Sequence, residues 1–358
     1  MRRWLPGWLH WPQLDVPLLA GLLLLMGCGL LVLYSASGAD ADVVNRQAVR
    51  LAVGLAAMLV LSQVPPHILK IWTPWLFTLG LALLLATWFV GTGRATNRWL
   101  DLGLVRFQPS EIMKLAVPMM VAWYLHPRRL PPDLITVLIA TFILVIPAVL
   151  IARQPDLGTA LLVGVSGFFA LFLAGLRWRL MFALAGLAVA LLPALWYAMH
   201  DYQRQRVLTF LDPESDPLGT GWNIIQSKIA VGSGGLFGKG WLNGTQSQLD
   251  FLPESHTDFI IAVAAEEYGF VRVVAILLLY LTIIMRSFVR LMKESDHGRR
   301  IIGCGLAGLL GLQALINIGV SVKFFPAKGM TLPFVSYGGS SAIAVGITAG
   351  LLLAFTRH

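Results

Sequence analysis

Long apolar runs dominate the 358-residue chain. Runs close to the ~20 residues that an α-helix needs to cross a bilayer recur at 16–36, 47–65, 71–91, 111–126, 134–152, 157–175, 179–199, 259–286, 301–322 and 338–356. Lipid offers the backbone no hydrogen-bond partners, so runs of this length are typical of membrane-spanning helices. The pattern predicts an all-α polytopic integral membrane protein with about ten transmembrane helices and a long exterior loop between helices 7 and 8.

Composition supports the same class. Hydrophobic residues make up 57% of the chain and charged residues only 13%, whereas soluble domains carry about 25% charged residues. No linker-like segment or fixed-period repeat divides the sequence, so we expect one domain over residues 1–358. Cys28 and Cys304 both fall in apolar runs, which predicts two core thiols rather than a disulfide framework or a metal cluster.

Basic residues indicate the orientation. Lys and Arg divide evenly between the two sides until the longest loop, 200–258, is set aside. The short loops near Arg128 and Arg177 and the cluster at 286–300 then favour a cytoplasmic N-terminus. We therefore expect both termini in the cytoplasm and attribute the net charge of +9 to topology rather than to nucleic-acid binding. The unusual chemistry falls in three exterior segments, 92–110, 200–258 and 323–337.

The first exterior segment carries Arg98 and Arg106 and leads into a charged helix start. Ser110 is predicted to be the N-cap, with Glu111 in the first turn, where the helix dipole favours a negative charge. Glu111 and Lys114 are three residues apart and share one helical face. The pair fits either a salt bridge at a helix end or the charged lining of a cavity, and spacing does not separate the two.

Two further segments invite both a structural and a functional interpretation. Asp156 follows a proline immediately before an apolar run, which its role as helix N-cap explains fully. The glycine-rich stretch 232–240 lacks the sequence of a P-loop. It fits a closely packed loop, or a backbone cradle for pyrophosphate beside Arg204, Arg206 and Lys239.

The stretch that precedes the apolar run at 259 places Glu254, His256 and Asp258 within five residues. Its spacing is not that of a zinc site, and His256 alone is typical of a hydrogen-bonded loop residue. Asp258 fits either an N-cap for the next helix or a proton acceptor. In the second case a dry setting would disfavour its charged form and raise its pKa toward neutrality.

Glu266 and Glu267 lie about two helical turns beyond Asp258. Adjacent acids within a membrane span are expected to face a cavity, a cation or another helix rather than lipid. Arg272 is the nearest cation in the sequence, so we expect it to pair with one of them.

A set of motifs in a fixed order resembles the SEDS family of bacterial cell-wall proteins. They are Arg98-Trp-Leu-Asp-Leu-Gly with Gln108-Pro-Ser-Glu, Gln154-Pro-Asp-Leu-Gly-Thr, Gly240-Trp-Leu-Asn-Gly-Thr-Gln-Ser-Gln, Leu252-Pro-Glu-Ser-His-Thr-Asp-Phe and Pro333-Phe-Val-Ser-Tyr-Gly-Gly-Ser. Within the family, the third motif is most similar to the RodA, or rod-shape, branch. The segment 326–333 is closer to the FtsW, or division, branch. This difference concerns whether the protein acts in cell elongation or in cell division, and it leaves the expected chemistry unchanged.

The resemblance implies a peptidoglycan glycosyltransferase that polymerises lipid II at the outer face of the cytoplasmic membrane. It implies as partners a class B penicillin-binding protein, which crosslinks the strands, and other elongation-machinery membrane proteins. The family's essential aspartate corresponds to Asp258. Other family positions correspond to Arg106, Glu111 and Lys114, expected beside Asp258, and to Asp156.

The mechanism that the resemblance implies transfers the glycan of one polyprenyl-linked substrate to the GlcNAc 4-hydroxyl of another. An α-linked donor that gives a β-linked product requires inversion, hence one base, Asp258. The leaving pyrophosphate needs positive charge, and His256 and Thr257 flank the base. Candidate cations for the pyrophosphate are Arg98, Arg106, Lys114, Arg204, Arg206 and Lys239. A divalent cation, Mg²⁺ or Mn²⁺, could assist, but spacing names no ligands for it.

Two other functions fit the same pattern. A lipid II flippase would line its path with Glu266, Glu267 and Arg272, although the strongest polar clusters lie in exterior loops and paired broken helices are not evident. A non-catalytic scaffold for the crosslinking enzyme would not depend on Asp258.

Overall fold

The computed structural model describes residues 15–92, 98–101, 106–128, 130–199, 201–217, 219–249, 251–325 and 329–357. Within these ranges it describes every side chain except those of Ala198, Tyr202, Arg206 and Thr220. Residues 326–328 of the FtsW-like segment lie outside the described residues.

Helices form nearly all of the described structure. The α-helices are α1 (Val16–Ala36), α2 (Ala41–Gln63), α3 (Pro66–Val90), α4 (Pro109–Leu125), α5 (Leu134–Arg153), α6 (Leu157–Leu173), α7 (Trp178–Ala198), α8 (Asp201–Leu211), α9 (Thr220–Ser233), α10 (Thr245–Gln248), α11 (Ile260–Leu291), α12 (His297–Ser321) and α13 (Ser340–Phe355). A 3₁₀ turn (Pro213–Ser215) lies between α8 and α9, and two short antiparallel strands, β1 (Leu100–Asp101) and β2 (Arg106–Phe107), precede α4.

The predicted all-α polytopic fold is confirmed, with a helix at each of the ten predicted spans. In the part of the chain that the structure describes, seven helices are long and apolar enough to cross a membrane: α1, α2, α3, α5, α7, α11 and α12. The shorter helices α6 and α13 are also apolar. Helix α4 has 17 residues, most of them buried, because it packs against α3, α5, α6 and α12. The long predicted loop between spans 7 and 8 contains α8, α9 and α10.

Aspartate side chains cap five of the helices. Asp15, Asp40, Asp133, Asp156 and Asp296 each accept a hydrogen bond from a backbone N–H in the first turn of α1, α2, α5, α6 and α12. Such a cap satisfies a donor that the helix itself leaves without a partner. The predicted capping role of Asp156 is therefore confirmed.

The predicted cap Ser110 is wrong, and the capping alternative for Asp258 is excluded. Helix α4 begins at Pro109 with Gln108 as its N-cap and no side-chain cap bond. Proline suits the first helical position because its fixed φ is already helical, and this moves the start one residue before Ser110. Helix α11 has Phe259 as its N-cap, again without a side-chain bond, so Asp258 is not its cap.

Close approach of helices organises the core. An added Cβ at Gly346 of α13 would lie 2.5 Å from the Gly54 carbonyl oxygen of α2, so glycine allows these two backbones to touch. Helix α12 is the most enclosed of these seven helices, since 78% of an 18-residue apolar stretch within it is buried, whereas no residue of the corresponding stretch of α7 is buried. Both cysteines are free thiols, Cys304 buried and Cys28 half-buried.

Helix α11 is broken at Gly269, where φ is 78° and ψ is 176°. The glycine-rich stretch 232–240 lies against the break and supplies its hydrogen bonds. The amides of Lys239 and Gly240 donate to the carbonyls of Glu266 and Glu267 at 2.9 and 3.0 Å. On the other side of the break, the amides of Phe270 and Val271 donate to the carbonyls of Gly235 and Leu236.

An added Cβ at Gly238 would lie 2.1 Å from the Glu267 carbonyl oxygen. The stretch 232–240 is therefore the closely packed loop of the two alternatives, since glycine is needed to let it approach the broken helix.

Candidate active site

Asp258 lies one residue before the N-cap of α11, in a half-buried turn. Its Oδ2 accepts a hydrogen bond of 2.7 Å from the backbone amide of Gly329, which is 71 residues away in the sequence. Its carboxylate is thus held at the point where the segment before α11 meets the loop between α12 and α13.

Asn317 of α12 fastens these two segments to each other. Its Nδ2 donates to the Asp258 carbonyl at 3.3 Å and to the Met330 carbonyl at 2.6 Å. The side chain is 1% exposed. Because one buried amide bonds to both sides, it fixes the position of the Asp258 backbone relative to Gly329.

His256 and Thr257 contact the same loop through their backbones. The Tyr337 amide donates to the His256 carbonyl at 2.9 Å, and Ser336 Oγ donates to the Thr257 carbonyl at 2.6 Å. The rings of His256 and Tyr337 meet edge to face, with centroids 5.8 Å apart. The predicted site residues from 256 to 258 therefore line one side of the loop 329–339.

The other side of this loop lies against α2, which sequence reasoning left out of the site. Gln47 donates to the Ser336 carbonyl and accepts from the Gly338 amide, both at 3.2 Å. Arg50 places its guanidinium carbon 4.7 Å from the Tyr337 ring centroid. A signal was available, since Arg50 falls within the predicted span 47–65 and a charge there is expensive unless it is used.

Tyr337 lies in a positive environment. Burial raises the pKa of its phenol, but hydrogen bonding and charge from Arg46 and Arg50 outweigh burial, and the net effect lowers that pKa. Neither arginine was among the site residues predicted from the sequence.

Arg98, Gln108 and Asp156 form a second cluster. Arg98 donates to the carbonyls of Gln154 and Pro155 at 2.7 and 2.5 Å. Its Nη1 lies 3.6 Å from Asp156 Oδ2, and Gln108 Nε2 donates to the same oxygen at 3.2 Å. One Asp156 oxygen thus caps α6 while the other ties α6 to the segment that precedes α4.

Glu111 and Lys114 form a buried ion pair on α4. Lys114 Nζ lies 2.6 Å from Glu111 Oε2, and the two side chains are 9% and 7% exposed. The pair is therefore the predicted salt bridge near the start of a helix, and it is buried. Removal of either partner would leave a charge that the surroundings stabilise poorly.

The remaining predicted cations of the exterior segments have carboxylate neighbours too. Arg106 lies 3.4 Å from Asp101 across the β1–β2 pair, and Arg204 lies 3.6 Å from Asp201. Arg204 also donates to the carbonyls of Trp196 and Tyr197. The Arg206 side chain lies outside the described residues.

Glu266 holds the Gly244-to-Gln248 motif in place. Its Oε1 accepts from Lys239 Nζ at 2.6 Å and from the Thr245 amide and hydroxyl, both at 2.9 Å. The Gln246 amide lies 3.2 Å from both carboxylate oxygens. Gly244 lies close beside this carboxylate, since its added Cβ would lie 3.0 to 3.1 Å from Glu266 and Glu267 oxygens.

The expected pairing of Arg272 with these acids is wrong. Arg272 contacts the Phe237 carbonyl at 3.3 Å, while the cation beside Glu266 is Lys239. Glu267 instead accepts from Ser35 of α1 at 2.5 Å. The loop 232–240 brings its own lysine to the helix break, which no local spacing in α11 indicates.

Helix α12 contacts both the helix that carries the Glu111–Lys114 pair and the helix that follows Asp258. It packs against α4, which carries Glu111 and Lys114, and against α11, which follows Asp258. The closeness of Asp258 to Arg106, Glu111 and Lys114 stays a prediction. Among the described residues, no group of three or more His, Cys, Asp and Glu side chains could hold a metal ion.

Comparison with known proteins adds to this geometry. The family model FTSW_RODA_SPOVE, described as "Cell cycle protein", matches residues 16–358. The chain belongs to the SEDS family. A SEDS relative from Escherichia coli (strain K12), "Peptidoglycan glycosyltransferase MrdB", is 48% identical over 97% of this chain and 94% of its own.

Other SEDS relatives show which branch the chain resembles more. "Probable peptidoglycan glycosyltransferase FtsW" from Thioalkalivibrio sp. (strain K90mix) is 37% identical over 97% of this chain and 90% of its own. The higher identity to MrdB, a RodA protein, supports the RodA resemblance.

Two solved structures share the SEDS fold. The rod shape determining protein RodA of Thermus thermophilus has a TM-score of 0.73 at 30% identity, with 98% of each chain covered. A chain from the work "Structural coordination of polymerization and crosslinking by a peptidoglycan synthase complex" has a TM-score of 0.83 at 35% identity, covering 97% of this chain and 98% of its own.

Proposed function

We propose that this chain is a peptidoglycan glycosyltransferase that polymerises lipid II into glycan strands for cell elongation and rod shape. It acts at the outer face of the bacterial cytoplasmic, or inner, membrane, with both termini in the cytoplasm. The observation that carries the proposal is the placement of Asp258, half-buried and held against Gly329, in a chain 48% identical to a peptidoglycan glycosyltransferase.

Asp258 acts as the general base. Inversion at the sugar carbon needs a single displacement, in which the acceptor hydroxyl loses its proton as it attacks and the pyrophosphate leaves from the opposite face. A carboxylate fixed by Gly329 and Asn317 is positioned to accept that proton without first reorganising. His256 and Thr257 shape the approach to it.

The remaining predicted residues contact the substrate around this base. Arg98 and Asp156, like Glu111 and Lys114, meet substrate as ion pairs rather than as single charges. Such pairs orient hydroxyl and amide groups of the sugar by hydrogen bonding. Arg106, Arg204 and Lys239 are paired as well, and Arg206 is proposed beside them.

The polyprenyl tails remain in the bilayer during transfer. Helix α7 is rich in apolar side chains, and none of the residues in its 18-residue apolar stretch is buried within the bundle. A bilayer would cover these side chains, so a substrate tail can reach the bundle from lipid past this helix. A class B penicillin-binding protein, which crosslinks the strands, and other elongation-machinery membrane proteins are the proposed partners.

The break in α11 is the feature that could favour a flippase, because transporters use broken helices at their binding sites. Here the loop 232–240 fills the break, and Lys239 already pairs with Glu266. The break therefore offers no open charged path, and polymerisation remains the better supported function.

The test is polymer formation from purified lipid II in detergent, where a flippase has no sidedness to exploit. Wild type is expected to form glycan polymer, and Asp258→Asn to form none while eluting as a folded protein. Asp212→Asn is the matched control, because Asp212 is exposed and caps no helix through its side chain. Equal polymer yields from Asp258→Asn and wild type would exclude Asp258 as the base.

A further inference from the structure

Apart from Arg206, whose side chain lies outside the described residues, every predicted cation is already paired with a carboxylate. Arg98, Arg106, Lys114, Arg204 and Lys239 each lie within 3.6 Å of a carboxylate oxygen. An arginine or lysine already paired in this way attracts a further anion only weakly, since the pair is close to neutral. Cations that lack such a carboxylate partner are better suited to bind the pyrophosphate.

Two arginines of α2 differ from these five. Arg46 and Arg50 are four residues apart, so they share one face of the helix. Across the described residues, no carboxylate oxygen lies within 4 Å of either guanidinium. Asp40 and Asp42 attract Arg46 from farther away, and Asp40 is engaged in capping α2.

Arg50 is also only partly satisfied. Its Nη1 is buried and has no hydrogen-bond partner among the described residues, while its guanidinium carbon lies 4.7 Å from the Tyr337 ring centroid. A buried guanidinium nitrogen without an acceptor costs free energy. Its placement is explained if an acceptor arrives with the ligand.

A short chain of contacts connects these arginines to the base. Arg50 lies over Tyr337, the Tyr337 ring meets the His256 ring at 5.8 Å, and Asp258 is two residues beyond His256. Gln47, between the two arginines, bonds to Ser336 and Gly338 and fixes α2 to this loop. The loop 329–339 therefore contacts both the helix that carries the two arginines and the segment that carries the base.

We propose that Arg46 and Arg50, with the Tyr337 hydroxyl, form a binding site for the pyrophosphate group of a polyprenyl-linked substrate or product. Two guanidinium groups present planar donors that match phosphate oxygens, and the phenol adds one more donor. The choice of a polyprenyl pyrophosphate rests on the proposed function, whereas the pyrophosphate chemistry rests on the arginines alone.

The test measures binding rather than turnover. The full chain is placed in nanodiscs of neutral phosphatidylcholine, and its dissociation constants for undecaprenyl pyrophosphate, undecaprenyl phosphate and inorganic pyrophosphate are measured. Replacement of both arginines (R46Q with R50Q) is expected to weaken binding of undecaprenyl pyrophosphate about tenfold or more, since charge-assisted hydrogen bonds are lost. The single variant Arg50→Lys, which keeps the positive charge, is expected to bind undecaprenyl pyrophosphate more tightly than the double variant does.

Arg153→Gln is the matched control. It removes one positive charge, as each of the two site substitutions does, from an exposed side chain at the end of α5, and binding should stay within about twofold of wild type. Equal losses in the control and the double variant, or no loss in the double variant, would overturn the inference. Loss of undecaprenyl pyrophosphate binding when the nanodiscs contain phosphatidylglycerol would also overturn the inference, because the site would then recognise anionic lipid headgroups in general.

Folding and function are separated by two further measurements. If the double variant fails to elute as a folded protein, Arg46→Gln alone decides, because Arg46 is exposed. Binding of undecaprenyl pyrophosphate is also measured for Asp258→Asn, to test whether the arginine site depends on the base. Failure of wild type to polymerise lipid II would contradict the proposed function and leave the binding result standing, whereas unchanged binding with normal polymerisation would contradict the arginine site alone.

Discussion

At the scale of single residues, the candidate site depends on contacts between distant parts of the chain. The carboxylate of Asp258 is held by Gly329, and its carbonyl by Asn317. Sequence reasoning could identify Asp258 by its place before an apolar run and by the family motif. It could not identify Asn317, because the partners of this residue are far away in sequence and a lone polar residue in a helix shows no period. Arg50 stood out only as a charge within a predicted span, and its contact with Tyr337 was not predictable.

Asn317→Ala should lower the turnover rate of polymerisation more than it raises KM. The change removes both hydrogen bonds that fix Asp258 against Met330 and should reduce the free energy of unfolding by about 1–3 kcal/mol. Gln313→Ala is the control, since Gln313 is equally buried on α12 and bonds to the Thr331 carbonyl without touching Asp258. Equal rates in the two variants would show that Asn317 has a structural role only.

Glu266→Gln should destabilise the protein by about 3 kcal/mol, because it leaves the Lys239 charge without its carboxylate. Glu266 is fully buried while 28% of the Lys239 side chain is exposed. The double replacement of Glu266 by Gln and Lys239 by Met should recover part of the loss, as measured by thermal unfolding in detergent. Strictly additive losses would contradict the pairing.

At the scale of helices and loops, hydropathy located ten of the helices, because lipid requires continuous apolar runs in a spanning segment. Asp156 was also predictable as a cap, since capping is local. The break in α11 was not predictable in this way. A glycine within an apolar run is common, and only the loop 232–240, packed against Gly269, shows that the helix is interrupted there.

Gly269→Ala should therefore lower the free energy of unfolding by about 1–3 kcal/mol. The φ of 78° and ψ of 176° at this position belong to a region that residues with side chains avoid. Its Cβ would also lie 2.3 Å from the Gly238 amide nitrogen. Gly164→Ala on α6 is the control, as nothing lies within 4 Å of its added Cβ. Alanine favours a helix interior, so the control should unfold at the same temperature as wild type or slightly above it. Similar unfolding temperatures for both variants would argue against the break.

At the scale of the whole molecule, ionic contacts tie helices together at the end of the bundle opposite Asp258. Asp296 at the start of α12 lies 2.5 Å from Lys70 of α3. Asp15 at the start of α1 lies 2.7 and 3.0 Å from Arg286 and Arg290 of α11. Burial raises the pKa of each carboxyl, but the hydrogen bonds and positive charges outweigh burial and lower it below 3.8.

These ties predict how stability depends on pH. A carboxyl whose pKa is lowered on folding stabilises the protein fully above its unfolded pKa and loses that contribution as pH falls through the folded pKa. Asp296→Asn should therefore lower the unfolding temperature at pH 7, and the difference from wild type should narrow below pH 3.8. A difference that stays constant down to pH 2 would contradict an ionic contribution from Asp296.

The central claim is that Asp258 removes the acceptor proton at a site that binds substrate without it. The most direct measurement compares Asp258→Asn with wild type for both lipid II binding and the initial rate of polymerisation. The account predicts similar dissociation constants and a rate reduced by about 10²-fold or more, the range that general base catalysis contributes. A variant that polymerises at the wild-type rate, or one that loses rate only in proportion to lost binding, would contradict it.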